Sequence, residues 1–308
     1  MLTNSLFDRF RLTVAEKNLH IYGIHVYQEG QGTVTHRWRT DDPVNLYSAS
    51  KAFTSMAVGI CQDEGRLQLS DKVLDFFPEY KDVAAYGSEE ATIRDVLHMA
   101  PGKVFDMFEY EGISKEDILN KDWAELYFRL PVTKKPGEYF YYCNPCTYVL
   151  GRIVEKVSGE KLRDYLVPRL FTPFEIYNPQ WHTCPQGHTE GYSGLYLRTE
   201  ELARLGRMML DGGIYNGKRI VSAEYIKAAS TDMISTHGWN NADPENNSGY
   251  GYQLWGCSRE GVYRADGAYG QYTIVVPDKK AVVTLNCHQE TNGMDVIRAV
   301  LGDIVALL

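Results

Sequence analysis

Residues 48–65 read SASKAFTSMAVGICQDEG. Ala52, Phe53, Met56, Ala57 and Ile60 recur at helical spacing, and Gly65 marks a stop. A helix opening here carries Ser48 and Lys51 one turn apart on one face. A serine hydroxyl is a weak nucleophile at neutral pH and needs a nearby base or a strong local field. A lysine at this spacing supplies either. The helix N-terminus adds free N–H groups beside a reacting carbonyl. Taken alone, the tetrapeptide fits a capping serine with a solvated lysine better, so its meaning depends on the rest of the chain.

Upstream, residues 4–17 form an amphipathic helical pattern around Leu6, Phe7, Phe10 and Leu12. LHIYGIHVYQEG (19–30) and GTVTHRWR (32–39) then read as two strands about a Gly-rich turn. Downstream, helical patterns follow at 91–100, 114–130, 144–159 and 160–171, punctuated by Pro78, Pro101-Gly102 and Pro136-Gly137. From about residue 190 strands return. GYSGLYLRT (191–199) leads into a helix over 199–213. The segments 251–259, 261–267, 270–278 and 280–288 read as an antiparallel meander, and residues 292–308 close with a helix. The expected fold is α+β, an α/β sandwich. Residues 1–48 and 190–308 build an antiparallel sheet domain flanked by helices, with a mostly helical region, 49–189, inserted between them.

The chain has 308 residues, 44% of them hydrophobic, and a formal charge of −8. That is enough to bury a large core. No Lys/Arg run suggests nucleic acid as a partner, and an acidic average disfavours anionic membranes. No apolar stretch is long enough to span a bilayer. The opening MLTNSLFDRFRLTVAEKN carries charges where a signal peptide needs an apolar core, so a cytoplasmic location is expected. The six cysteines are then expected as free thiols. Nothing in the sequence sets the oligomeric state.

Two further segments carry chemistry. Tyr142-Cys143-Asn144 lies within PGEYFYYCN (136–144). A tyrosine near a lysine can have its pKa lowered and act as a general base. The asparagine amide can contact a substrate carbonyl or hold the lysine. Residues 263–271, YRADGAYGQ, sit between two strands, where glycines allow close backbone approach and an N–H can face an oxyanion. Trp239, Trp255, Tyr250, Tyr252, Tyr263 and Tyr269 flank this segment, as a pocket lining or as core. Cys143 and Cys146 form a C-x-x-C without the βαβ context of a redox site. His182, Cys184 and His188 lack the second ligand pair of a zinc site. No metal or organic cofactor is expected. No G-x-S-x-G, H-E-x-x-H or phosphate-binding loop occurs.

Ser48-x-x-Lys51, Tyr142-x-Asn144 and Ala265-Asp266-Gly267, in this order, resemble the S-x-x-K, Y-x-N and K-T-G motifs of the penicillin-binding-protein and class C β-lactamase family. The flanks at 64–80, 91–102, 136–159, 194–222 and 267–284 resemble it too. The resemblance implies a β-lactamase/transpeptidase-like fold and a serine hydrolase for a small ester, amide or lactam. Ser48 is the implied nucleophile, with Lys51 and Tyr142 relaying the proton in an order the sequence leaves open. Asn144 would contact substrate or Lys51, and the N–H groups of Ser48 and Ala268 would form the oxyanion hole. Ala265, Gly267, Ala268 and Tyr269 are the third-motif substrate-binding candidates. The family's cation is replaced by Ala265, and Asp266 is expected to point away from the face Ala265 occupies. The A-x-G-x-x-G-Q form resembles the esterase and 6-aminohexanoate-dimer hydrolase branch, which favours esters or small amides over lactams. The alternatives are a non-catalytic binding or sensor protein on the same fold, and a true β-lactamase or D-aminopeptidase.

Overall fold

The computed structural model describes residues 1–239 and 243–308. In chain order, helix α1 (Asp8–Glu16) is followed by strands β1 (Ile21–Gln28), β2 (Gly32–Arg37) and β3 (Val44–Asn45). Helix α2 (Ser50–Asp63) opens a run of helices: α3 (Ile93–Leu97), α4 (Lys115–Asn120), α5 (Trp123–Arg129), α6 (Asn144–Ser158) and α7 (Leu162–Leu166). Then come β4 (Gln180–Trp181), β5 (Leu195–Leu197), α8 (Thr199–Leu210), β6 (Ile214–Tyr215), β7 (Lys218–Arg219) and α9 (Ala223–Thr231). The last elements are β8 (Trp255–Gly256), β9 (Tyr263–Gly267), β10 (Gln271–Val276), β11 (Ala281–Cys287) and α10 (Met294–Asp303).

The main sheet has six strands in the order β2-β1-β11-β10-β9-β8. Its named pairs are antiparallel, so a strand near one end of the chain lies beside one near the other: Val26 pairs with Val283. The apolar runs of β10 and β11 are buried along their whole length, because helices cover both faces. Tyr272, Ile274 and Val276 project into a core with Phe10 of α1 and Val296, Ile297 and Val300 of α10. Thr273 and Val275 project the other way, where Gly206 lets α8 close on the sheet: a Cβ there would lie 2.4 Å from the Thr273 hydroxyl.

Helix α2 is buried from Ser50 to Cys61 on every side, not along one stripe. Its hydroxyls are accordingly bonded. Thr54 donates to the Gly191 carbonyl at 2.9 Å, and Ser55 lies 3.0 Å from the Tyr225 hydroxyl. Two expected elements differ. The pattern over 114–130 is two helices, because Ser114 and Asp122 each cap a new start and Lys121 between them is extended. The segment 251–259 contributes only Trp255–Gly256 as strand. Gln253 sits at φ +64° and turns its amide into the helical layer, bonding Thr147 and the Leu97 carbonyl.

Candidate active site

Ser48 stands in a 3₁₀ turn, Tyr47–Ala49, directly before α2. The turn is made by backbone that bends sharply. Tyr47 takes φ +46°, a strained value for a side-chain-bearing residue, and its N–H is held by the Asn45 side chain at 2.8 Å. One turn further on, Lys51 is buried. Its Nζ lies 3.0 Å from Ser48 Oγ, 2.8 Å from Asn144 Oδ1 and 3.1 Å from the Tyr192 carbonyl. The Tyr142 ring covers the amine at 4.8 Å. Residues distant in the chain thus converge on one hydroxyl.

Burial pushes the Lys51 ammonium down to about 7, against the opposing pull of Asp106. Tyr142 moves the other way. Burial drives its phenol well above the ordinary tyrosine value, and the Ser48 hydroxyl offsets this only in part. The Tyr142 pKa is thus raised rather than lowered as expected, with desolvation of the phenolate as the largest cause. A neutral lysine has two N–H groups and one lone pair. As an ammonium, Lys51 donates to all three oxygens, of Ser48, Asn144 and Tyr192; once neutral it can keep its two N–H groups on Asn144 and Tyr192 and turn its lone pair to the Ser48 hydroxyl.

Asn144 begins α6, where its backbone N–H donates to Asp106 Oδ2 at 3.1 Å. Asp106 itself is buried and is pushed up by that burial. Neither Asp106 nor the Tyr192 carbonyl was marked by any local pattern, since both come from irregular loops. A second serine–lysine contact, Lys103 Nζ to Ser88 Oγ at 3.0 Å, differs in kind. Both residues are buried in the fold, and Lys103 also donates to the Leu130 carbonyl.

The end of β9 closes the site from the other side. An added Cβ on Gly267 would lie 2.1 Å from the Leu46 carbonyl and 3.1 Å from the Ala49 N. The strand and the Tyr47–Ala49 turn therefore touch backbone to backbone, which brings Ala268 beside Ser48. No described acceptor takes the N–H of Ser48 or of Ala268. Gly267→Ala is expected to cut activity at least about 10²-fold, because the strand must retreat from the turn. Circular dichroism retaining the fold, with full activity, would contradict this.

A cleft of about 180 Å³ opens beside Ser48, with Tyr142, Trp239, Trp255, Asp266 and Ala268 among its walls. Tyr269 stands nearby, packed between Tyr47 and His288. Ala265 is buried in the helical core and does not line the cleft. The two side chains alternate across β9 as a strand requires, but the cleft lies on the side of Asp266, which pairs with Tyr272 of β10. Asp266 thus points away from the face of Ala265, as expected, and it is this face, not that of the substrate-binding candidate Ala265, that borders the cleft. Tyr250, Tyr252 and Tyr263 are core.

The remaining candidates have structural partners. Cys143 and Cys146 are buried free thiols, as are the other four cysteines. His188 bonds Glu155, and Cys184 packs against the Tyr148 hydroxyl. Among the described residues no helix is long and apolar enough to cross a membrane.

The family described as Beta-lactamase matches residues 14–306 of the chain. A 6-aminohexanoate-dimer hydrolase from Paenarthrobacter ureafaciens is 28% identical over 261 residues, covering 79% of this chain. The matched region spans only 65% of that relative's length. Penicillin-binding protein 4 from Amycolatopsis lactamdurans is 24% identical over 337 residues, covering 94% of this chain and 84% of the relative. Among solved structures, EstCE1, a hydrolase with promiscuous acyltransferase activity, superposes with a TM-score of 0.74 at 16% identity, covering 97% of this chain and 99% of its own. That likeness is one of fold.

Proposed function

The chain belongs to the beta-lactamase family, and from that premise we propose that it is a serine hydrolase acting on a small ester or amide through an acyl-enzyme. The observation that carries the reading is the amine of Lys51, 3.0 Å from the Ser48 hydroxyl and depressed to about 7 by burial. Near neutral pH a large share of it is unprotonated. Its lone pair takes the Ser48 proton as Oγ bonds to the substrate carbonyl carbon. The oxyanion forms against the N–H groups of Ser48 and Ala268. When the bond to the leaving group breaks, the Tyr142 O–H donates a proton to the departing atom and recovers one from Lys51. A neutral phenol suits this donor role, since burial holds its proton. Water then attacks the Ser48 ester by the same route.

The choice of ester or amide over lactam rests on the third motif. Asp266 lines the cleft where the family carries a cation at the preceding position, now Ala265. A carboxylate-bearing substrate meets repulsion there rather than a partner.

A panel of p-nitrophenyl esters, D-aminoacyl amides and nitrocefin tests the reading. Short esters are expected to turn over faster than nitrocefin, and the reverse order by a wide margin would overturn the substrate assignment. The pH profile tests the base. The Lys51 pKa is lowered, so the active, unprotonated amine is present above about 7 and lost below it. The value of kcat/KM is expected to fall about tenfold per pH unit on the acid side of that point. A profile flat from pH 5 to 8 would exclude Lys51 as the base.

A further inference from the structure

We infer that the cleft beside Ser48 selects substrates whose leaving group carries an organic ammonium. The inference rests on the hydrolase reading above and names the substrate class of the same site.

Two features of the cleft support it. The first is charge. Asp266 is the single formally charged side chain among the described residues that line the cleft. Its Oδ2 accepts from Arg264 Nε at 2.8 Å. Arg264 is wholly buried, and its other nitrogens are held by the carbonyls of Glu245 and Gly256. A buried guanidinium needs an anion beside it, and Asp266 is the carboxylate it contacts. Burial pushes the Asp266 carboxyl up and the guanidinium beside it pulls it back down, so the cation lies behind the wall with the carboxyl it holds partly exposed at the surface. Oδ1 of Asp266 makes no hydrogen bond to a described residue, which leaves one carboxylate oxygen for a ligand.

The second feature is aromatic. Tyr142, Trp239 and Trp255 line the same cleft. Their ring centroids lie 5.5 Å apart for Trp239 and Trp255, 5.5 Å for Tyr142 and Trp239, and 5.8 Å for Tyr142 and Trp255. Lys51 already lies under the Tyr142 ring at 4.8 Å and Arg264 over the Trp255 ring at 5.8 Å, so among the described residues Trp239, 36% exposed, is the ring of the three without a resident cation, and Trp attracts a desolvated one best. Such faces beside a carboxylate recognise ammonium groups, methylated ones included. A neutral apolar group would gain from the rings alone, and an anion would lose to both features.

In the mechanism proposed above, the cleft takes the leaving group. Tyr142 forms part of its wall, and its hydroxyl is the proton donor to the departing atom in the mechanism above. The cation therefore belongs to the alcohol, thiol or amine released, not to the acyl group retained on Ser48.

Three thioesters of one acyl group test this: butyrylthiocholine, its uncharged carbon isostere S-(3,3-dimethylbutyl) thiobutyrate, and an anionic analogue ending in sulfonate. For the wild type, kcat/KM is expected to favour the cationic over the neutral ester by about tenfold or more, with the anionic ester slowest. In Asp266→Asn the ratio of cationic to neutral should contract to within about threefold. The ratio is internal to each protein, so partial loss of activity does not obscure it. Should Asp266→Asn fail to fold, inhibition of the wild type decides. Choline should compete with substrate, and 3,3-dimethylbutanol should do so at least about tenfold less well.

Equal rates on the cationic and neutral esters, or an unchanged ratio in Asp266→Asn, would overturn the inference and leave the hydrolase reading intact. Failure of the wild type both to hydrolyse all three and to react with a fluorophosphonate probe would overturn the hydrolase reading, and the inference with it.

Discussion

Ser48→Ala is expected to lower ester turnover by about 10⁴-fold or more and to abolish covalent labelling by a fluorophosphonate. The loss is chemical. The side chain is half-buried and its oxygen has one hydrogen-bond partner beyond the phenol, the Lys51 amine. Alanine fits the same turn without displacing Tyr47 or the start of α2. The melting temperature should therefore move by no more than a few degrees. The residual rate should be that of water attacking a carbonyl held by the N–H groups of Ser48 and Ala268. Labelling that persists in Ser48→Ala would move the nucleophile elsewhere. A wild type that takes no label would favour the binding or sensor alternative.

Lys51→Met is expected to lower kcat about 10³-fold with a smaller effect on KM, since the amine touches the reacting hydroxyl and lies behind the wall of the cleft. Methionine fills the volume of the lysine stem. It removes a buried charge but strands the Asn144 and Tyr192 oxygens, so the two stability effects oppose each other. The distinguishing readout is the pH profile: the inflection near 7 should vanish from the residual activity. Lys51→Arg should not restore the rate, because a guanidinium cannot give up its proton in the accessible pH range. Rescue by arginine would mean that charge alone suffices, which would remove Lys51 as the base.

The contact of Ser48 with Lys51 was legible because it is local. Three residues of helix place two side chains on one face whatever the remainder of the chain does. Tyr142 and Asn144 have no such local logic. Their relation to Ser48 is created by α6 packing along α2, and only resemblance to a known set of motifs joined them beforehand. Asp106 and the Tyr192 carbonyl were illegible for the same reason: their contribution depends on how loops fold over a helix. Strand alternation separated Ala265 from Asp266 correctly, yet a period of two cannot say which face meets the cleft. That depends on what covers each face, and here α2 and its neighbours enclose Ala265. Helix boundaries in the middle of the chain failed where caps outweighed periodicity, as at Asp122.

The pairing of Val26 with Val283 has a consequence for biosynthesis. A ribosome releases the first hairpin, which ends at Arg37, about 240 residues before the strand that must lie against it begins at Ala281. At roughly 5–20 residues per second, β1 waits on the order of 10–50 s with an open, apolar edge. The nascent protein is thus exposed to misassociation during most of its own translation, and a pause or a premature stop before β11 leaves that edge uncovered for good.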